Sequence, residues 1–517
     1  MTTKYKVWFN LNFLCGLLIA SGCARLPSRP NLPEQNGPPV STQTSLDKMA
    51  MSVSATQQAK SGFKLVNRGV EAFTLRSHSA RAAGRSLDIQ YYIWHNDLTG
   101  KLLAKELLEA ADRGVRVRLL LDDLDARAKN FALAGLDAHP NIEVRLFNPF
   151  GTRKGTASKL TEMILGYSRL NHRMHNKAWI ADNRIAIAGG RNIGDEYFSA
   201  GDGVNFIDLD FAIMGPAVDI MSASFNKYWN SAAVWPMATL SPQLVNQQTL
   251  NNIRSNAVDV AADEAASPWI QALAVNDGMQ QIQSGQLPFH WTDRWQVLSD
   301  DPLKALGADD PLVRSAMMKG FYEHINQSKS SIIIISPYFV PGKKGSQLFT
   351  DAAKRGPSVS VLTNSLASND VVAVHGGYSK YRNRLIEGGV HLWELKPTAK
   401  QNANSNLTGS SGASLHSKSA VFDNETTFVG SFNLDPRSVS LNCEQGVFVT
   451  HPAMSIELAT MFARLTERDA AWRVDHTDNG TLRWSDGTKT YYIDPDSNLF
   501  RRLKASLFRW LPLDSQL

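Results

Sequence analysis

Two short runs of this 517-residue chain carry the same reactive residues at the same spacing. One reads His175-x-Lys177-x4-Asp182-x6-Gly189-Gly190-x-Asn192, the other His416-x-Lys418-x4-Asp423-x6-Gly430-Ser431-x-Asn433. In an extended strand residues i and i+2 share a face, so the histidine and lysine of each run point the same way. Asp182-Asn183 and Asp423-Asn424 stand where a tight turn is expected, and an apolar strand then returns to the glycine position. Asn192 and Asn433 lie beyond that strand and can come back beside their own histidine and lysine. Each run therefore predicts a small pocket of one imidazole, one ammonium and one amide. An imidazole titrates near neutrality and forms covalent intermediates, so it can serve as nucleophile or as proton carrier. The ammonium and the amide are suited to hold an anion beside it.

The elements that must position these pockets repeat as well. SLDIQYYIW (86–94) is echoed by SIIIISPYFV (331–340), DRGVRVRLLLDD (112–123) by KRGPSVSVLTNS (354–365), and NIEVRLFNPF (141–150) by GVHLWELKPT (389–398). HNKAWIADNRIAIAGGRN (175–192) is echoed by HSKSAVFDNETTFVGSFN (416–433). One duplicated unit with insertions accounts for all four pairs. Within each unit apolar β-rich runs such as 115–121 alternate with helical stretches such as KLLAKELLEAADRG (101–114), which stops at Gly114. That order predicts α/β layers with helices covering sheets. We read residues 59–240 as the first unit, 241–300 as a helical connector and 301–472 as the second unit. Residues 473–517 read as a hairpin, on the Asn479-Gly480 and Asp486-Gly487 turns, followed by a basic amphipathic segment.

Composition narrows the field. Apolar residues make up 43% and charged ones 20%, which is globular and not fibrous or disordered. A single long apolar run excludes a polytopic membrane protein. The 54 basic and 48 acidic residues leave a net charge of +6, which favours anionic partners without choosing between nucleic acid and phospholipid. Cys15, Cys23 and Cys443 cannot make a disulfide scaffold. No Cys/His cluster or HExxH run supports a metal, and no P-loop or GxGxxG run supports a nucleotide, so no cofactor is expected.

Residues 1–22 have a positive start at Lys4 and Lys6 and an apolar stretch too short to span a bilayer comfortably, as in a secretory signal. Ala20-Ser21-Gly22-Cys23 resembles the lipobox of bacterial lipoproteins, with Ala20 where leucine is usual. That resemblance implies that Cys23 is acylated and becomes the mature N-terminus, with sorting to the inner or outer membrane open. Residues 23–58, rich in Pro, Ser, Gln and Asn, read as a flexible tether.

The paired runs resemble the HxKxxxxD motifs of the phospholipase D superfamily, over most of the chain after about residue 60. GGRNIGDEYF (189–198), FIDLDFAIMGP (206–216), SNDVVAVHGGY (368–378), GASLHSK (412–418) and GSFNLDPRS (430–438) narrow the resemblance to bacterial cardiolipin synthases of the third type. It implies a duplicated phospholipase D fold: two α/β/α sandwich units about a pseudo-twofold axis, sharing one active site within a single chain. It also implies roles. His175 would attack phosphorus to give a phosphatidyl-histidine. His416 would protonate the departing alcohol and then act as base on the second, the reverse assignment being open. Lys177, Lys418, Asn192 and Asn433 would hold the non-bridging oxygens, and Ser431 would add a hydroxyl where the first unit has Gly190. Each histidine needs a carboxylate on its other nitrogen. Asp208 and Glu444 occupy matching downstream positions, with Asp210 a rival to Asp208. Asp182 and Asp423 belong to the catalytic motif, although their place at a turn suits bonding to backbone better than chemistry.

Other residues admit plainer readings. His172 and Arg173 suit a solvated or structural pair, and YYIW (91–94) a core strand. His375 and Tyr378 suit either the head-group pocket or helix packing, and residues 400–412 either a lid or a long loop. Leu499, Leu503, Leu507, Trp510 and Leu511 share one helical face, with Arg501, Arg502, Lys504 and Arg509 mainly off it. Such a helix lies in the headgroup layer of an anionic membrane, or else packs on the protein body.

The function implied is a phosphatidyltransferase making cardiolipin from phosphatidylglycerol and a second phospholipid, either phosphatidylethanolamine or phosphatidylglycerol. Its expected place is the bacterial cell envelope, lipid-anchored to a membrane and facing the periplasm. A phospholipase D releasing phosphatidic acid uses the same intermediate and is the alternative, ahead of a superfamily nuclease. Without a dense Lys/Arg tract no nucleic-acid partner is expected. The donor lipid, an accessory protein and the oligomeric state are left open.

Overall fold

The computed structural model describes residues 26–55, 57, 59–153, 162–163, 166–201, 203–263, 267–275, 280, 288–307, 315–398 and 412–511. Cys23 and the signal, and nearly all of the 400–412 loop, lie outside the described residues. The first half supplies strands β1 (Ser61–Val66), β2 (Ser86–Tyr91), β3 (Arg116–Asp122), β4 (Ile142–Phe147), β5 (Ala178–Ala181), β6 (Ile185–Gly189), β7 (Val204–Ile207), β8 (Asp210–Met214), β9 (Val234–Pro236) and β10 (His290–Thr292). The second supplies β11 (Trp295–Ser299), β12 (Ser331–Ile335), β13 (Ser358–Asn364), β14 (Val390–Leu395), β15 (Gly412–Leu415), β16 (Ser419–Phe422), β17 (Thr426–Gly430), β18 (Gln445–Thr450), β19 (Ala471–His476), β20 (Leu482–Ser485) and β21 (Thr490–Tyr491).

Two large sheets result. One has the order β10-β1-β8-β6-β5-β2-β3-β4-β9, the other β11-β18-β17-β16-β12-β13-β14-β19-β20-β21. Apart from the added edges the orders correspond strand for strand. β2, β3 and β4 are parallel, as are β12, β13 and β14. Parallel neighbours need a crossover, supplied by the helices Leu98–Asp112 and Gly342–Arg355. β5 and β6, like β16 and β17, form antiparallel hairpins. Their turns hold Asp182 and Asn183 at φ of 52° and 54°, and Asp423 and Asn424 both at 54°. Asp and Asn tolerate this left-handed region, which a tight hairpin turn requires at both central positions.

Helices cover the outer face of each sheet and make two separate cores. A third core lies between the sheets, where Phe63, Ile180 and Phe211 of one meet Ile335, Val421 and Val447 of the other. The duplicated α/β architecture expected from the sequence is therefore present, with the units fused through a common apolar layer. Backbone pairing also crosses between them: β7 pairs in parallel with β15, and Met174 bridges to Cys443. No helix among the described residues is long and apolar enough to cross a membrane.

Two segments differ from expectation. The 241–300 connector holds the helices Gln247–Asp263 and Pro268–Ala274, but its end is β: β10 joins the edge of the first sheet and β11 that of the second. Runs of three and five residues are too short for periodicity to reveal. Residues 26–54 are not a free tether either. Arg29 donates to Val234 O at 2.8 Å, and Arg116 and Arg118 donate to Asn36 O at 2.9 Å and Gln35 O at 3.0 Å. The helix Ser45–Ser54 follows, capped by Thr44, with buried Asp47 between Arg85 and Arg184. Composition suited a tether, but the arginines of the first unit draw acceptors from this segment.

Candidate active site

The reactive runs occupy equivalent places, each histidine and lysine just ahead of a hairpin strand, β5 or β16. Their backbone is held by the opposite unit. His175 N donates to Cys443 O at 2.8 Å, and His416 N donates to Ile207 O at 2.9 Å. The next residues after these acceptors are Glu444 and Asp208. That register delivers each carboxylate to the histidine of the other unit: His175 Nδ1 lies 2.9 Å from Glu444 Oε2, and His416 Nδ1 lies 2.6 Å from Asp208 Oδ2. A carboxylate at Nδ1 places the proton on that nitrogen and leaves the Nε2 lone pair for chemistry.

Burial, with the two lysine charges, lowers the His175 pKa to about 4 against the pull of Glu444. Burial and Lys418 lower His416 as well, against Asp208. The lysines are buried too, and this desolvation brings Lys177 to about 7 and Lys418 to about 8. Burial alone would raise the Asp208 carboxyl, but His416, Lys418 and Arg191 outweigh it and hold it at about 2. Glu444 is lowered in the same way, chiefly by His175 and Lys177 against its burial. Each lysine acts on both histidines, so the two pockets are one electrostatic site.

The structure brings His175, Lys177, His416, Lys418, Asp208 and Glu444 together. Lys177 Nζ donates to His175 O, and Lys418 Nζ lies 3.1 Å from His416 Nε2. Asn192 accepts from Ile93 N at 3.2 Å and donates to Tyr197 OH at 3.0 Å, while Asn433 Oδ1 is buried without a partner among the described residues. Asp210 is not the histidine partner. It accepts from Arg76 at 2.9 Å and faces Arg191 at 3.3 Å.

Ser431 differs from expectation. Its hydroxyl donates to Glu444 Oε2 and accepts from Gln445 N at 3.0 Å, so it braces the carboxylate and is spent before any substrate arrives. At Gly190 a Cβ would lie 2.1 Å from Asp208 Oδ1, so the first unit has no room for the equivalent side chain. Asp182 accepts from the backbone N–H groups of Gly84, Arg85 and Ser86, and Asp423 from those of Lys329, Ser330 and Ser331. Both tie the hairpin to the start of a parallel strand and stand away from the histidines' reacting atoms. Arg173 is a buried ion pair with Asp122 at 3.1 Å, and His375 is buried beside Asp494 at 3.0 Å, away from the site.

Several neighbours escaped the sequence reading. Tyr92 stands edge-on to His175 at 5.0 Å and 5.6 Å from Lys177 Nζ. Strand alternation could have found it, since Tyr91 is core and Tyr92 faces the other way. Tyr197 stands edge-on to His416 at 5.1 Å, and Phe206 stacks on it at 5.1 Å. Tyr338 OH donates to Asp370 Oδ2 at 2.7 Å. Tyr197, Phe206 and Tyr338 carry no local spacing signal, because they come from separate segments of the chain.

A family model described as cardiolipin synthase, PLD-like domain, matches residues 78–229 and 321–466, one copy in each unit. Cardiolipin synthase C of Escherichia coli is 36% identical over 463 residues, which cover 87% of this chain and 94% of that one. A cardiolipin synthase of Staphylococcus aureus is 26% identical over 404 residues, covering 77% and 66%. Among solved structures, the phosphatidylserine synthase of Haemophilus influenzae aligns with a TM-score of 0.53 at 13% identity, covering 83% of this chain and 93% of that one, a likeness of fold.

Proposed function

Because the chain belongs to the phospholipase D-like family of cardiolipin synthases, we propose that it is a phosphatidyltransferase making cardiolipin from phosphatidylglycerol and a second phospholipid. The donor is phosphatidylethanolamine or another phosphatidylglycerol. The observation that carries this reading is the exchange of carboxylates between the units, which engages Nδ1 of both imidazoles and leaves their Nε2 atoms to face two buried lysines, Lys418 Nζ lying 3.1 Å from His416 Nε2.

In the first step His175 Nε2 attacks the donor phosphorus. The P–N bond forms, the P–O bond to the head-group alcohol breaks, and His416 gives that oxygen its proton. In the second step His416 takes the proton of a phosphatidylglycerol hydroxyl, whose oxygen attacks phosphorus and displaces His175. Burial favours a neutral His175, as a nucleophile requires. Anionic Asp208 stabilises the His416 imidazolium, and the arriving phosphodiester adds to that. Lys177 and Lys418 balance the charge on the non-bridging oxygens, and the amides of Asn192 and Asn433 donate hydrogen bonds to them. We place the enzyme at a membrane of the bacterial cell envelope, on its periplasmic face, anchored by lipid on Cys23. This rests on the Ala20-Ser21-Gly22-Cys23 run, and Cys23→Ser is expected to abolish labelling by radioactive palmitate.

Lipid mass spectrometry of cells lacking endogenous cardiolipin synthases tests the reaction. Cardiolipin is expected with the wild-type chain and not with His175→Ala or His416→Ala. Phosphatidic acid without cardiolipin would overturn the transferase reading in favour of hydrolysis.

A further inference from the structure

The helix Leu499–Trp510 is seated on the protein by a narrow inner strip. Ala505 is its one buried residue, and it crosses the helix Val372–Ser379 at Gly376. A Cβ at Gly376 would lie 2.8 Å from Ala505 O and 2.9 Å from Phe508 Cβ, so the helices approach as closely as glycine permits. Arg501 on the same strip donates to Leu366 O at 2.6 Å and to Asn369 O. Arg502 donates to Asp494 O at 3.2 Å.

The outer face is apolar and open. Leu499, Leu503 and Leu507 are exposed, Phe500 is 77% exposed and Trp510 85%. Tyr492 and Ile493, just before the helix, are also exposed. Residues 492–511 hold 8 of the 21 large apolar side chains exposed among the described residues, a concentration that marks an interaction face and not scatter. Lys504 and Arg509 are exposed beside it, and residues 499–511 contain no acidic group. Apolar side chains with a cationic fringe and a terminal tryptophan match the surface of an anionic bilayer.

The seat also leads to the active site. The 366–369 segment held by Arg501 runs directly into exposed Asp370, whose carboxylate accepts from Tyr338. Tyr338 is followed by Phe339, which bridges to Leu434 directly after Asn433 of the second reactive run, and this places Asp370 on the rim of the histidine pocket.

We infer that the outer face of this helix, with Tyr492 and Ile493, docks on an anionic phospholipid surface and thereby sets the Asp370 rim of the active site against the lipid that supplies its substrates. The inference rests on the phosphatidyltransferase reading. Its test compares the full chain with a Leu503→Glu/Leu507→Glu variant on vesicles of phosphatidylglycerol and phosphatidylethanolamine and on short-chain forms of the same two lipids below their micelle concentrations. The variant is expected to lose about tenfold or more of the activity on vesicles and to keep wild-type activity on the monomeric lipid. In the wild type, hydrogen exchange across 499–511 is expected to slow when vesicles are added, and in the variant to stay unchanged. Equal loss on both substrates, loss on neither, or a change only in oligomeric state by light scattering would overturn the inference, the last assigning the face to a second copy. A wild-type chain inactive on both substrates whose 499–511 exchange still slows would sink the transferase reading and leave the docking face standing.

Discussion

Asp208 and Asp210 sit two positions apart in one loop-to-strand junction, yet they face different partners. Asp208 precedes β8, where the chain is not yet regular, and reaches His416, whereas Asp210 begins the strand and meets Arg76 and Arg191. Asp208→Asn is expected to lower kcat by about 10²- to 10⁴-fold with little change in Tm, because a misoriented imidazole loses chemistry and not packing. Asp210→Asn is expected to lower Tm instead, by a stability loss of about 3–5 kcal/mol, since two buried guanidinium groups lose their counter-charge. The lysines predict a pH profile. Burial lowers Lys177 to about 7 and Lys418 to about 8, so the cationic forms are present below these values and lost as pH rises through them. kcat/KM is expected to fall as pH rises, first as His416, lowered in the free enzyme, loses the proton it must give and further between about pH 7 and 9 as the lysines lose theirs, with kcat falling less because a bound phosphodiester keeps these groups charged. The lysines were legible from the spacing of the paired runs, and the need for a downstream carboxylate from what the resemblance implies. The choice between Asp208 and Asp210 was not, since it depends on where strand geometry begins.

At the scale of elements, the hairpin β5–β6 and its counterpart β16–β17 are the devices that present the histidines. Each turn aspartate gathers three backbone N–H groups from the start of the neighbouring parallel strand. Asp182→Ala is expected to cost about 1–3 kcal/mol, read as a lower Tm in calorimetry, because buried donors are left without an acceptor. Asp423→Ala is expected to cost less, since Asp423 is only half-buried and water can replace it. In both, the folded fraction is expected to keep most of its kcat. The left-handed turns were readable because Asp-Asn at that place has few other uses. β10 and β11 were not readable, being too short for a period, and neither was the docking of residues 26–54, whose partners lie far away in the chain.

At the scale of the molecule the two units share more than an interface. Each histidine depends on the opposite unit for its carboxylate, and a common apolar layer holds the sheets in register. Glu444→Gln is therefore expected to shift the titration of His175 in the first unit and to move that of His416 far less. Asp208→Asn is expected to do the reverse. Imidazole NMR titration of the two variants checks both, and a shift confined to the histidine of the same unit would contradict the crossed arrangement. The same logic predicts that neither unit alone turns over substrate.

The sequence by itself determined the residue types of the site, the duplication that doubles it and the α/β elements that carry it, because strand period, turn chemistry and repeat spacing are local properties of the chain. The tertiary structure alone decided which carboxylate serves which histidine, that Ser431 braces Glu444, and that Tyr92, Tyr197, Phe206 and Asp370 surround the pocket. These relations join residues up to 269 positions apart, across a sheet register and a packed apolar layer, and no local pattern encodes such a distance.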